Sequence, residues 1–392
     1  MNNDQTVMQR DDNPHRIGPM INRGRRWNSA VFALLTVSLS IALAIVVIEI
    51  VLRFLPVTSS MERMPVDENH PILRFPLNRD FVYSTGWNFQ FVNYGRFNNY
   101  GFVNNQDYAR RDGEKALAII GDSYVEALQV PYDQTIQGRL AKYYEGTGKV
   151  YSFGMSGAQL AQYLAMSEYV RNEFQPRGMV IVIIGNDFDE SLIKVRPGLH
   201  VFEKNPDGHS VRLVRWDYHP GAVEKILRHS ATARYLWNTV GIREITRLPQ
   251  RLARGEGSYV GNTQREAPEE RLQDSRMAVE AFFSGLRHRA GLDTSRILFV
   301  VDGMRPHIYS EADFERAKGS YFDLMRQYFM SAAVQWGYEV IDMQPIFLSR
   351  HRKDGSRFER ATDAHWTGVG HQVVAEAIAS SNLFQRLCRC AQ

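Results

Sequence analysis

Ala116-Leu-Ala-Ile-Ile120, followed at once by Gly121-Asp122-Ser123-Tyr124, is the stretch on which the fold turns. Its apolar run has no period-2 alternation, so both faces are expected to be buried, and it stops at a glycine before helix-like sequence. That is a parallel strand feeding a helix. The pattern recurs at Val150 to Phe153 ahead of helical sequence from near Gln159, at Met179 to Ile184, at Ile297 to Val301 and at Tyr338 to Ile341. Strands alternating with helices predict an α/β fold, a doubly wound parallel sheet with helices on both faces.

Upstream, residues 70 to 105 are rich in aromatic residues, Asn and Gly, which suits short strands and tight turns packed on the α/β domain. Further upstream, Ala30 to Ile48 is a run of nineteen residues without a charge. At about 1.5 Å per residue, some 20 apolar residues span a hydrocarbon core of roughly 30 Å. A cleaved leader has a shorter apolar region and a small-residue cleavage site, whereas this run ends in Glu49-Ile-Val-Leu-Arg53-Phe-Leu-Pro56, so an uncleaved anchor is favoured. Arg23, Arg25 and Arg26 precede it, and the positive-inside rule puts the N-terminus in the cytoplasm. The expected organisation is a cytoplasmic tail over 1–29, a transmembrane helix over 30–55, an extracytoplasmic β-rich lead-in over 56–112 and the α/β domain over 113–392.

Between Asp189 and about Ser295 the interval is too long for an ordinary connection, so an insertion is expected at about 190–290. Asn205-Pro-Asp-Gly208, between His200-Val-Phe-Glu203 and Val211-Arg-Leu-Val214, predicts a hairpin. Amphipathic helix is expected from Ala222 to about Leu252, a Gly-rich polar break around 255 to 261, and a helix from about Glu269 to Leu286. The insertion suits a substrate-shaping cap or a plain elaboration equally well.

The charge balance, 47 Lys+Arg against 43 Asp+Glu, is mildly basic with the excess near the anchor, which argues against a nucleic-acid partner. Cys388 and Cys390 are the only cysteines, and two residues apart they support neither a disulfide framework nor a zinc site. No His-Glu-x-x-His spacing is present, so neither metal nor other cofactor is implied.

Four spots lie at strand exits or near a late helix, the edge where open α/β sheets gather their sites. Ser123 follows the first strand, at a strand-to-helix turn where a hydroxyl is exposed and developing negative charge is favoured; a plain helix cap is the bland alternative. Phe153-Gly154-Met155-Ser156-Gly157 is a second glycine-bearing exit, where a backbone N–H can approach a ligand or merely close a turn. Ile184-Gly185-Asn186-Asp187 is a third, with Asn186 able to donate to an oxyanion. Asp363-Ala364-His365-Trp366 supplies an imidazole base and a carboxylate to orient it. Arg305-Pro306-His307 suits a loop or the site rim, Trp366 packing or a sugar platform, and Asp342 a turn.

Serine first, two oxyanion-donor candidates next and an Asp/His pair last: in this set and order the chain resembles the SGNH, or GDSL, hydrolase superfamily, here a membrane-anchored bacterial member. The resemblance runs from about Leu117 to Leu383, leaving the insertion unmatched. It implies a three-layer α/β/α fold, Ser123 as nucleophile, His365 as base and then acid, Asp363 as its partner, and an oxyanion hole from the N–H groups of Ser123 and Gly157 with the Asn186 side chain. Gly154 matches less well, being the first glycine of its block. Two positions depart from the pattern: the Asp of the best-known esterases stands three residues before the His, where this chain has Thr362, and Ile184 holds the place of the glycine in Gly-x-Asn-Asp. With no Gly-x-Ser-x-Gly elbow, the chain does not read as an α/β-hydrolase.

Family and location together imply a serine esterase that removes O-acyl groups, foremost O-acetyl, from a cell-envelope carbohydrate on the periplasmic side of the bacterial inner membrane. Alternatives are an O-acetyltransferase of polysaccharide modification served by a multi-span acyl-donor partner, cleavage of a lipid ester or thioester, and a non-catalytic scaffold that kept the fold.

Overall fold

A computed structural model describes residues 23–110, 116–145, 148–242, 259–360 and 363–389. The chain divides into two compact units, Met1–Val51 and Leu52–Gln392. In the first, helix Arg23–Arg53 contains Ala30–Arg53, 24 residues long and apolar enough to cross a membrane. Phe32, Leu34, Leu39 and Leu43 are all exposed, as a surface facing lipid rather than water would be. The helix stops at Arg53, short of the expected residue 55; the chain turns through Phe54 and Leu55 into Pro56, whose missing N–H cannot extend a helix.

Five parallel strands form the sheet of the second unit: β1 (Ala116–Gly121), β2 (Lys149–Gly154), β3 (Gly178–Ile183), β4 (Ile297–Val301) and β5 (Glu339–Asp342). Their spatial order is β5-β4-β3-β1-β2. Every residue of β1, β3 and β4 is buried, which is why their sequences are almost unbroken Val, Ile, Leu and Ala. The chain runs outward from β1 to β2, then returns past β1 to β3. This reversal makes the carboxyl ends of β1, β2 and β3 the topological switch point. Register sets Gly121 beside Gly154 and Ile120 beside Ile181, so the three exits lie side by side.

Helices cover both faces. On one lie α3 (Leu160–Phe174), α4 (Glu269–Ala290) and α5 (Tyr321–Gln335); on the other lie α2 (Ile136–Tyr143), α6 (Met343–Asp354) and α7 (Gly368–Ala379), as right-handed crossovers require. The short α1 (Ser123–Glu126) leads from β1. Although α4 falls inside the interval 190–290, its Phe282 and Phe283 pack on Phe299 of β4, with ring centroids 6.0 and 5.5 Å away. That part of the interval belongs to the sheet's own helical layer.

The expected hairpin pairs His200–Lys204 with Val211–Arg215. The continuous helix from Ala222 is not formed: Ala222–Leu227 ends, and a new turn begins at Ala231–Arg234 because the Ser230 hydroxyl caps the Ala233 N–H at 3.1 Å. Residues 243–258 lie outside the described residues, and with them the end of that helix and most of the Gly-rich break. In the lead-in, Arg79–Thr85 pairs antiparallel with Phe91–Phe97, and Phe75, Phe81 and Phe97 stack in the same core as the sheet. The Tyr108 hydroxyl bonds both the N–H and the carbonyl of Ser152 at 2.7 Å, closing part of the exposed edge of β2.

Candidate active site

Gly121 ends β1 where a Cβ would stand 2.4 Å from Val125, so only glycine lets α1 start without a spacer. The N-cap is Asp122, whose carboxylate accepts the Tyr124 N–H at 2.8 Å. Ser123 is therefore the first helical residue and not the cap, and its hydroxyl keeps only a long contact to Asp122 at 3.4 Å on its own helix. That hydroxyl lies 2.7 Å from His365 Nε2, and His365 Nδ1 lies 2.5 Å from Asp363 Oδ1. Asp363 also accepts the His365 backbone N–H at 3.1 Å. Asp363–Trp366 is a strand paired with Glu359–Arg360, and residues i and i+2 of a strand point to one face. The Asp-x-His spacing thus reaches the same end as a longer one; Thr362 lies outside the described residues.

Burial alone would pull the His365 imidazolium down. The bond and charge of Asp363, with the nearby charges of Asp122 and Glu126, more than offset it and hold the ring above its ordinary value. Burial pushes Asp363 up, yet the contacts with His365 win and keep the carboxylate ionised below its usual range. Asp122, fully enclosed, is pushed up to about 6, chiefly by burial.

The imidazole strand is held from behind by Tyr124 and Arg305. Ala364 presents its carbonyl to the Tyr124 hydroxyl at 2.8 Å and to the Arg305 guanidinium at 3.3 Å. Arg305 lies in the loop after β4, as expected, but is buried between Asp302 at 2.5 Å and Glu359 at 2.9 Å rather than on a rim. Trp366 is fully buried and donates its indole N–H to Asp302 at 3.2 Å, which settles packing over a sugar platform. Asp342 caps α6 by accepting the Gln344 N–H and also bonds Arg326.

The glycines of the second exit serve different ends. A Cβ on Gly154 would lie 2.1 Å from the Glu126 backbone N, so Gly154 exists to let β2 and α1 touch. Gly157 has room, with Val195 and Leu199 at 3.6 and 3.7 Å from such a Cβ, but its φ of +80° favours glycine. Met155 to Ala158 closes a turn through the Ala158 N–H to Met155 carbonyl bond at 2.9 Å, with Gly157 at its third position. Ser156, one residue earlier, donates its hydroxyl to the buried Glu126 carboxylate, which in turn pairs with Arg63 at 3.4 Å.

At the third exit, Asp187 is the structural member. Its buried carboxylate accepts the Ile184 N–H at 2.7 Å and the Tyr163 hydroxyl at 2.9 Å. The Asn186 side chain donates to Glu190 at 2.8 Å and accepts from Asn262 at 3.0 Å. Burial raises the Glu190 carboxyl to about 7. Ser123, His365 and Asp363 are thus joined by hydrogen bonds, while Gly157 and Asn186 each lie three residues past the end of a neighbouring strand.

No family model and no curated protein matches the sequence. Solved structures with a related arrangement include a lipase/acylhydrolase from Enterococcus faecalis, 12% identical, with 70% of this chain and 96% of that one covered and a TM-score of 0.34. A member of the lipolytic G-D-S-L family from Veillonella parvula is 11% identical, with coverage of 68% and 97% and a TM-score of 0.33. A two-domain esterase active on acetylated mannans is 10% identical, with coverage of 70% and 50% and a TM-score of 0.34. With overlays this loose, the functional reading rests on the geometry of the site itself.

Proposed function

We propose that this chain is a serine esterase of the SGNH, or GDSL, type that removes O-acyl groups, foremost O-acetyl, from a cell-envelope carbohydrate. The observation that carries the reading is the unbroken line from Asp363 through His365 to the Ser123 hydroxyl. His365 Nε2 takes the serine proton as Oγ attacks the ester carbonyl, and the imidazolium is steadied by Asp363. The N–H groups of Ser123 and Gly157 and the amide of Asn186 receive the negative charge on the carbonyl oxygen. His365 returns the proton to the departing sugar oxygen, leaving an acyl-serine. Water, deprotonated by the same imidazole, then releases the acid and restores the hydroxyl.

The carbohydrate substrate follows from the family resemblance together with the apolar span, which would tether the domain to the outer face of a cytoplasmic membrane. The test uses the full chain in detergent with p-nitrophenyl acetate, with and without an acetylated oligosaccharide. Ser123→Ala and His365→Ala are each expected to lose about 10⁴-fold in turnover. Turnover indifferent to Ser123→Ala overturns the enzyme and leaves a scaffold. Acyl groups appearing on the added sugar instead of in water make the protein a transferase, fed by a separate acyl donor.

A further inference from the structure

One contact of the insertion with the candidate site residues is made by the two-residue turn Gly261-Asn262. Tyr259–Val260 pairs antiparallel with Thr263–Gln264, and Gly261 and Asn262 have φ of +59° and +68°. These are the two left-handed residues of a tight hairpin turn, which glycine and asparagine tolerate best. The turn is seated on the third strand exit. A Cβ on Gly185 would lie 1.9 Å from the Gly261 carbonyl oxygen. Glycine stands at 185 because a backbone rests there.

The seat is fastened independently. Arg271 of α4 donates to Asp189 at 2.7 Å, and also to the Thr263 hydroxyl at 2.7 Å and the Gln264 carbonyl at 2.9 Å. Its guanidinium lies 3.4 Å over the Tyr321 ring. One side chain therefore ties the hairpin to the segment that follows Asn186.

We propose that Asn262 is a positioning residue of the oxyanion hole, setting which way the Asn186 amide faces; this rests on the esterase reading above. Asn262 offers an N–H to the Asn186 oxygen at 3.0 Å, while Glu190 offers a carboxylate to the Asn186 nitrogen at 2.8 Å. With Glu190 ionised, a half-turn of the Asn186 amide would set N–H against N–H on one side and oxygen against carboxylate on the other. The two neighbours thus hold one orientation, in which a single N–H is used and its twin is left for a ligand. An oxyanion donor works by being aimed before the charge develops, so this aim belongs to the transition state and not to ground-state binding.

The test takes the full chain in detergent with p-nitrophenyl acetate, comparing Asn262→Gly and Asn262→Asp, both of which suit a left-handed turn. Each is expected to lower kcat by roughly 10-fold or more with KM nearly unchanged, complete loss of such a donor costing about 10²–10³. In an Asn186→Ala background the Asn262→Gly change is expected to add nothing, because there is no amide left to aim. Thermal melts accompany each variant. Wild-type kcat in Asn262→Gly, or an equal further loss in the Asn186→Ala background, overturns the inference while the esterase stands. Turnover that does not depend on Ser123 overturns the esterase reading, and the inference with it.

Discussion

The Ser156 hydroxyl donates to the carboxylate of Glu126, a residue on the helix that begins with Ser123. One side chain thus links the helix of Ser123 to the turn that carries Gly157. Glu126 is almost fully buried, and Arg63 supplies its counter-charge. In a turn of this kind the central peptide can rotate and reverse its N–H, and the Ser156 bond resists that rotation. Ser156→Ala is expected to lower kcat about 10-fold with little change in KM, as an interaction felt only in the transition state would. Steady-state kinetics on p-nitrophenyl acetate decide it; a rise in KM alone would assign Ser156 to substrate binding.

The charges around His365 predict the acid limb of the pH profile. The ring must be neutral to accept the serine proton, and its neighbours hold it above the ordinary 6.5. Activity is therefore expected to fall as pH drops through a midpoint above that value. In Asp363→Asn the largest supporting interactions are gone and burial takes over, so the midpoint moves down while the rate drops about 10⁴-fold. A profile of kcat/KM against pH in both proteins reads the two midpoints, and an unmoved midpoint in Asp363→Asn would show that another group is titrating.

Arg305 is the residue on which the imidazole strand leans. Replacing it with alanine strands Asp302 and Glu359, both nearly inaccessible, without a counter-charge. Breaking a buried ion pair this way costs about 3–5 kcal/mol. Thermal melts of Arg305→Ala are expected to show a fall of that size together with lost turnover, whereas Tyr124→Phe, which removes one bond to Ala364, is expected to cost about 1 kcal/mol.

The two glycines of the second exit should separate stability from activity. Gly154→Ala drives a methyl group into the Glu126 backbone and is expected to cost about 3 kcal/mol or more. Gly157→Ala meets only ordinary van der Waals contact, costs about 1 kcal/mol for its positive φ, and is expected to fold but turn over slowly. Melting curves and kcat for both variants check the contrast.

Three of the strand exits were legible in the sequence because strands buried on both faces leave unbroken apolar runs, and the runs of β1, β2 and β3 stop just before Ser123, Gly157 and Asn186. Ser123, Asp363 and His365 could be named from local patterns for that reason. What holds them could not. Arg63 meets Glu126, Arg305 meets Glu359 and Asn262 meets Asn186 across 63, 54 and 76 residues, and no local pattern encodes such partners. The hairpin at 259–264 did leave a signal, Val260-Gly-Asn-Thr263, which suits a two-residue turn but was absorbed into a Gly-rich break. The broken helix after Leu227 shows the opposite failure: apolar spacing continued across Ser230, and a capping hydroxyl overrode it.

The serine and the imidazole it touches stand 242 residues apart in the chain, the serine first. A polypeptide made and exported from its N-terminus exposes the serine early, with no base to deprotonate it. Products truncated ahead of the Asp363–Trp366 strand would hold the hydroxyl without its imidazole, so the line from Asp363 through His365 to Ser123 closes only once that strand is made.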